Sequence, residues 1–131
     1  MSRYCLDTSA YSHFQRGHQG ACDIIDEAQW LGLPSVVLGE LWLGFNLGFH
    51  LAKNQSLLTA FLANPTVHKI VVDDQVARLY GELSAELRRQ GTPIPTNDIW
   101  IAACAAATHS VIVTFDDHFR HVKRVGRVLL G

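Results

Sequence analysis

The stretch YCLDTS, residues 4–9, contains the pattern that decides the fold. Tyr4–Leu6 is short and apolar, as a buried strand is. Asp7, Thr8 and Ser9 follow at once, and all three are residue types that favour the N-cap of a helix. The stretch therefore predicts a strand that leads directly into a helix, with an acidic side chain at the junction.

The same alternation of strands and helices continues along the chain. Further strands are predicted at Leu33–Val37, Val67–Val72, Val111–Thr114 and, at an edge, Val125–Leu130. Helices are predicted at Tyr11–Arg16, Ala21–Leu31, Val37–Ala52 and Leu57–Leu62, from an Asp73 or Asp74 cap through Arg89, and at Asn97–Thr108. Strands that alternate with helices predict an α/β fold with a mainly parallel sheet covered on both faces.

Length and composition limit the possible classes of protein. The 131 residues fit one domain spanning residues 1–131, and the 48% hydrophobic content supports a core that needs no disulfides. Cys5, Cys22 and Cys104 are an odd number without CxxC spacing, which indicates free thiols in a reducing cytoplasm. The net charge of −1 gives no sign of nucleic-acid binding, so any RNA contact needs locally gathered basic residues.

Neither a leader nor a membrane span is predicted. Met1–Leu6 reaches Asp7 before an apolar signal-peptide segment can form. Leu31–Ala52 carries one charge and is long enough to cross a bilayer, but it also holds Pro34 and four glycines. A buried helix explains this segment better than a transmembrane helix.

Three aspartates are predicted to lie at one edge of the sheet. Asp7 ends the first strand, Asp116 lies two residues beyond Val111–Thr114, and Asp98 opens a helix. In open α/β sheets, ligands bind outside the carboxyl ends of the strands. Each residue also has a structural explanation, because Asp7 and Asp98 can cap helices and Asp116 can stabilise a turn.

Glu40 is the fourth acidic residue of interest. It is the only Asp, Glu, Lys or Arg between Leu31 and Ala52, so burial requires a cation, hydrogen-bond donors or water. An internal ion pair is the structural alternative. Several carboxylates at one site repel one another until a cation neutralises them, and hard Mg²⁺ or Mn²⁺ prefers oxygen ligands. Such ions can activate water for attack on a phosphodiester.

Five segments in chain order resemble the PIN-domain family, particularly its VapC-like toxins. They are Leu6-Asp7-Thr8-Ser9, Glu40-Leu41-Trp42-Leu43-Gly44, Gly91-Thr92-Pro93-Ile94, Asn97-Asp98-Ile99-Trp100-Ile101-Ala102-Ala103, and Val113-Thr114-Phe115-Asp116-Asp117-His118-Phe119. The resemblance implies a three-layer α/β/α sandwich and a divalent-metal-dependent endoribonuclease. It also implies a cognate antitoxin that inhibits the enzyme, and frequent homodimerisation.

The resemblance also assigns roles to residues of this sequence. Asp7, Glu40, Asp98 and Asp116 match the family's four metal-site acids, and Asp117 is the alternative for the fourth. Thr114 matches a Ser or Thr that assists the site by hydrogen bonding. Thr8 and Asn97 are further candidates for supporting the acids through hydrogen bonds, although helix capping explains them equally well.

Basic residues cluster just after Asp116. Arg120, Lys123, Arg124 and Arg127 could hold RNA phosphates, or they could form a solvated C-terminal face. The seven histidines lack zinc-site spacing and are interpreted as surface residues, although His118 could contact RNA because it flanks Asp116.

Two alternatives concern surfaces and function. Trp42, Phe45 and Phe49 share a helical stripe, for which core packing is the default, while a groove for an antitoxin helix or a homodimer contact is the alternative. A catalytically silent binding module of the same fold is the main functional alternative. A receiver-like phosphotransfer domain fits less well, because Asp7 stands alone and no lysine directly follows Val111–Thr114.

Overall fold

A computed structural model describes residues 2–131, and within them the chain forms five strands, six α-helices and one 3₁₀ helix. The strands are β1 (Arg3–Leu6), β2 (Trp30–Pro34), β3 (Val67–Ile70), β4 (Val111–Thr114) and β5 (Arg127–Leu129). The α-helices are α1 (Thr8–Gln15), α2 (Gln19–Glu27), α3 (Ser35–Leu47), α4 (Leu51–Leu62), α5 (Asp74–Gln90) and α6 (Thr96–Thr108), and the 3₁₀ helix is Asp117–His121.

The strands form one sheet in the order β3-β2-β1-β4-β5, and every neighbouring pair is parallel. The chain leaves β1 in one direction to build β2 and β3, and then crosses back to build β4 and β5. Because parallel crossovers are right-handed, this reversal places helices on opposite faces of the sheet. The predicted α/β sandwich with a parallel sheet is confirmed.

The core lies between the sheet and the helices on each face. Leu6, Leu33 and Ile112 are fully buried in the central strands. On α5, four residues spaced by three or four positions are also buried, as the amphipathic pattern predicts: Val76, Leu79, Leu83 and Leu87. Asp73 caps this helix by accepting a hydrogen bond from the Val76 amide, and Gly91 ends it in the left-handed conformation at φ 72°.

Two boundaries before α3 differ from the prediction. The helix predicted at Ala21–Leu31 ends at Glu27, and Trp30 and Leu31 belong to β2 instead. The strand predicted at Leu33–Val37 ends at Pro34, after which α3 begins at Ser35. Pairing of β2 with both β1 and β3 outweighs the local helical pattern, because a central strand forms backbone hydrogen bonds on both sides.

The long buried helix predicted at Val37–Ala52 is also wrong. Gly48 adopts an extended conformation that separates α3 from α4. Several apolar side chains around this break are exposed, including Leu47 at 77% and Phe49 at 96%. Core packing of Phe49 is therefore wrong. The apolar side chains of Val37–Ala52 therefore form part of the protein surface as well as part of the core.

Membrane crossing receives no support from the described part of the chain. Within residues 2–131, no helix combines the length and the apolar composition that a bilayer span requires.

Candidate active site

The four predicted acidic residues line one cleft of about 360 Å³. Asp7 follows β1 and Asp116 follows β4, and these adjacent parallel strands end at the same edge of the sheet. Asp98 reaches the cleft from the first turn of α6, and Glu40 reaches it from α3. The cleft opens between β1 and β4, where the strand order reverses and α/β proteins commonly bind ligands.

Asp7 is the most buried acid of the cleft, with 5% of its surface exposed. One carboxylate oxygen accepts hydrogen bonds from the Ala10 amide at 2.8 Å and the Ser9 hydroxyl at 2.7 Å. The other oxygen accepts a bond from the Thr114 hydroxyl. Burial raises the pKa of Asp7, the three hydrogen bonds oppose that rise, and the charge of Asp116 adds to it. Asp7 therefore caps α1 and also faces the cleft.

Thr114 and Ser9 connect the ends of the two central strands. Thr114 is fully buried, and its hydroxyl also accepts a hydrogen bond from the Asp116 amide at 2.9 Å. The Ser9 hydroxyl accepts one from the Phe115 amide at 3.0 Å. These bonds fix the segment after β4 relative to Asp7. The sequence singled out Thr114 but not Ser9, although Ser9 stands in the quoted YCLDTS stretch.

Asp98, Asp116 and His118 form a compact cluster at the other side of the cleft. One donor atom from each lies within 4.8 Å of the others. The His118 Nδ1 atom is 2.8 Å from an Asp98 oxygen and 3.0 Å from an Asp116 oxygen. Burial raises the pKa of Asp98, and the hydrogen bond and charge of His118 oppose that rise. The interpretation of the histidines as surface residues missed this cluster. The position of His118 two residues after Asp116 indicated nearness to Asp116 but not contact with Asp98.

Glu40 lies at the edge of the cleft and is not part of the compact cluster. Its carboxylate accepts a hydrogen bond from the Thr8 hydroxyl at 2.8 Å, which joins α3 to α1. The side chain is partly buried, and the Thr8 hydroxyl is a hydrogen-bond donor of the kind that its burial was predicted to require. Glu40 also borders a second cavity of about 410 Å³ between α1, α3 and α4.

Two further predicted residues lie apart from the cluster. The Asp117 carboxylate pairs with Arg120 at 2.9 Å and with Arg127 at 3.7 Å, so it faces a different set of groups from Asp116. Asn97 is exposed at the start of α6.

The predicted basic cluster is largely engaged in ion pairs at the surface. Arg124 contacts Glu82 at 3.2 Å and Glu86 at 3.0 Å, while Arg120 contacts Asp117. Lys123 is exposed. A cation that the sequence did not indicate, Arg16 at the end of α1, lines the acidic cleft itself.

His13 and Arg16 line the same cleft as the acids. The His13 ring stacks on Phe115 with 3.8 Å between ring centroids, and its Nδ1 lies 2.9 Å from the Ser9 carbonyl oxygen. Arg16 also borders the second cavity, together with Lys53 and the aromatic rings of Tyr11 and Phe45. Basic and aromatic groups of this kind bind phosphates and stack on bases in nucleic-acid sites.

The donor set fits a divalent cation. Four carboxylates from four different elements line the cleft, and two of them converge with an imidazole nitrogen. Burial removes water from Asp7 and Asp98, which disfavours their negative charge and raises the pKa of each carboxyl. A cation offsets this penalty, and carboxylate oxygens are its ordinary ligands.

Comparison with known proteins gives consistent matches. Residues 4–125 match the family model described as the PIN domain. Ribonuclease VapC5 of Mycobacterium tuberculosis is 30% identical over 117 residues, which cover 87% of this chain and 83% of that protein. The crystal structure of VapBC2 from Rickettsia felis, bound to a promoter DNA fragment, matches with a TM-score of 0.85 at 25% identity and 98% coverage of both chains. That of VapBC-5 from Mycobacterium tuberculosis matches with a TM-score of 0.75 at 25% identity, covering 99% of this chain and 100% of that one.

Proposed function

The chain belongs to the PIN-domain family, and from this membership we propose that it is a divalent-metal-dependent endoribonuclease and the toxin component of a toxin–antitoxin pair. The relative VapC5 is named as a ribonuclease. The observation that carries the proposal is the convergence of Asp7, Glu40, Asp98 and Asp116 on one cleft at the carboxyl edge of the sheet. This arrangement suits hydrolysis of a phosphodiester, for which no protein nucleophile is required.

Each acid has a part in the proposed chemistry. Asp98 and Asp116 would hold Mg²⁺ or Mn²⁺, with Asp7 and Glu40 completing the acidic site. A cation bound there would supply Lewis-acid stabilisation of the phosphodiester and would lower the pKa of water. Asp7 is held in place by Thr114 and Ser9, so its carboxylate cannot rotate away when RNA binds.

The RNA backbone needs positive charge beside the acids. Arg16 lies on the rim of the cleft, and it shares the adjoining cavity with Lys53. We assign to these residues the contacts with phosphates that flank the cleaved bond. Lys123 is exposed and adds positive charge outside the cleft, whereas Arg120 and Arg124 contribute only after they exchange their carboxylate partners for RNA.

An antitoxin and a second copy of this chain are the proposed protein partners. The relatives from Rickettsia felis and Mycobacterium tuberculosis were crystallised as VapBC toxin–antitoxin complexes. The exposed apolar residues Leu43, Leu47 and Phe49 offer a surface of the kind that a protein partner covers. We place the protein in the cytoplasm, where the buried thiols of Cys5 and Cys104 remain reduced.

Cleavage of a mixed pool of structured RNA tests the proposal. The purified protein is assayed with Mg²⁺, with Mn²⁺ and with EDTA, beside Asp98→Asn. EDTA should lower cleavage by orders of magnitude because it removes the cation. Asp98→Asn should lower it to a similar extent because the side chain keeps its shape but loses the charge of a metal ligand. Asp74→Asn is the matched control, since Asp74 occupies the first turn of α5 outside the cleft and should retain full activity. Unchanged cleavage by Asp98→Asn would contradict the proposed site.

The silent binding module makes a different prediction for the same samples. It would bind the metal through the acidic cleft and show no RNA turnover with either cation. Metal binding in calorimetric titrations of the wild type, weakened in Asp98→Asn, together with no RNA cleavage would therefore indicate a domain that has kept only the site.

A further inference from the structure

The His118 imidazole lies beside the two carboxylates, Asp98 and Asp116, that are proposed to hold a cation. Its Nδ1 atom forms a hydrogen bond with the Asp98 carboxylate, at 2.8 Å, and it also contacts Asp116 at 3.0 Å. The backbone holds the residue there as well, because the His118 amide donates to the Asp116 carboxylate at 3.1 Å and begins the 3₁₀ helix. Two separate interactions therefore fix the imidazole against the acidic pair.

The other acids of the cleft are more fully committed to protein groups. Asp7 accepts three hydrogen bonds from Ser9, Ala10 and Thr114. Glu40 accepts one from Thr8 and lies outside the compact cluster. Within residues 2–131, the hydrogen bonds to the Asp98 carboxylate come from His118 alone. Asp98, Asp116 and His118 are thus the most available convergent donors.

This donor set is mixed in its chemistry. Carboxylates and water suit Mg²⁺, whereas imidazole nitrogen suits first-row transition metals. A nitrogen among the ligands raises affinity for Mn²⁺ relative to Mg²⁺, because Mg²⁺ prefers oxygen and keeps much of its water. We propose that His118 is a direct ligand of the cation that Asp98 and Asp116 would hold, and that it makes the site selective for Mn²⁺ over Mg²⁺. Its Nδ1 atom would release its proton to solvent as the cation binds, because an imidazole nitrogen coordinates a metal only in its deprotonated form. This inference rests on the proposed function, since it concerns the same metal site.

The first test measures binding without any RNA. The full chain is freed of metal and titrated separately with Mn²⁺ and Mg²⁺ by calorimetry. His118→Gln should lower the ratio of Mn²⁺ to Mg²⁺ affinity by about tenfold or more, since even groups that only support a metal ligand are worth that much. His121→Gln, one turn along the same 3₁₀ helix, is the matched control and should leave the ratio unchanged.

The second test identifies the ligand directly. Electron spin echo spectroscopy of the Mn²⁺-loaded protein should show nitrogen coupling in the wild type and in His121→Gln, and none in His118→Gln. His118→Asp replaces nitrogen with oxygen, so it should bind Mg²⁺ at least as well as the wild type and should also lack the nitrogen coupling. Circular dichroism establishes that each variant is folded. If either His118 variant does not fold, the other still provides the test.

The outcomes separate this inference from the proposed function. Metal-dependent RNA cleavage by a wild type that shows no nitrogen coupling would overturn the assignment of His118 and leave the nuclease intact. Nitrogen coupling that persists in both His118 variants would also overturn it. Nitrogen coupling that His118→Gln removes, in a protein that cleaves no RNA, would support the ligand and contradict the nuclease. A wild type that binds neither cation would overturn both.

Discussion

At the scale of single residues, the acids of the cleft differ in how far they also support local structure. Asp7 caps α1, and Asp116 caps the 3₁₀ helix by accepting a bond from the His118 amide. Substitution of either residue therefore disturbs the backbone together with the site. Asp98 is free of this role, since α6 begins after Pro95 without a side-chain cap. Loss of activity in Asp98→Asn consequently reports on chemistry more directly than the same loss at Asp7.

Thr114 gives a second prediction at this scale. Thr114→Val keeps the shape but removes the donor to Asp7 and the acceptor for the Asp116 amide. We expect a loss of about 1–3 kcal/mol in the free energy of unfolding, because buried polar groups lose their partner. We also expect divalent-metal affinity to fall by roughly 10–100-fold, as for other groups that orient metal ligands. Urea unfolding and metal titration measure the two effects.

Thr114→Ser is the control for this substitution. It keeps the hydroxyl and removes one methyl group, which costs on the order of 1 kcal/mol of stability through lost burial. Metal affinity should stay near that of the wild type. Equal metal affinity in Thr114→Val and Thr114→Ser would show that the hydroxyl does not position the acids.

The three cysteines should differ sharply in reactivity. Burial raises the pKa of Cys104 to about 12 and that of Cys5 well above its ordinary value. The thiolate is the reactive form of cysteine, and at pH 8 both thiols are almost entirely protonated. Both are also buried, so a reagent cannot reach them. Cys22 is only partly buried. Iodoacetamide should label Cys22 in the folded protein, and Cys5 and Cys104 only after denaturation, as read by mass spectrometry of peptides. Rapid labelling of Cys104 in the folded chain would contradict the packing of α6.

At the scale of elements, the packing of α5 against α6 supports the helix that carries Asp98. Asp73→Ala removes the cap of α5, and we expect it to lower the free energy of unfolding by about 1 kcal/mol. Asp73→Asn keeps an oxygen that can accept the Val76 amide and should stay near wild-type stability. Urea midpoints measure both variants. Equal losses would mean that the charge of Asp73, not its hydrogen bond, stabilises the helix.

Elements with one dominant local signal are predictable from the sequence. Val111–Thr114 is a strand with the predicted bounds, and α5 has its predicted buried face, N-cap and Gly91 terminus. The boundary between α2 and β2 was not predictable in this way. Trp30 and Leu31 continue the helical pattern of α2, and only pairing with β1 and β3 makes them a strand.

The candidate site follows the same division. Asp7 and Asp116 could be placed together because strand ends are visible in the sequence and parallel strands share an edge. The contact of His118 with Asp98 could not be foreseen, since it depends on how the 3₁₀ helix turns its side chains toward α6. Arg16 was missed for a similar reason, because the position of the end of α1 beside the cleft is a tertiary property.

At the scale of the whole molecule, exposed apolar side chains gather on one surface. Leu43, Leu47, Phe49 and Leu51 lie on or between the adjoining ends of α3 and α4, and each is exposed. A set of large exposed apolar groups on neighbouring segments usually marks a protein interface. Either of the two proposed partners, an antitoxin or a second copy of the chain, could cover this surface.

We expect the antitoxin to cover this surface, because large exposed apolar groups need a partner and relatives of this chain were crystallised as VapBC complexes. The double substitution Leu47→Asp with Phe49→Asp places charges where apolar contact is needed, so it should prevent co-purification with a co-expressed cognate antitoxin. Both positions are exposed, hence the fold should persist. Val71→Asp is the matched control, since Val71 is 66% exposed next to β3 and lies on another element. Sedimentation of the free chain completes the experiment: the oligomeric state should be the same in all three proteins. A double variant that still binds the antitoxin would contradict the assignment. A double variant that is monomeric while the wild type is dimeric would show instead that this surface is the homodimer interface.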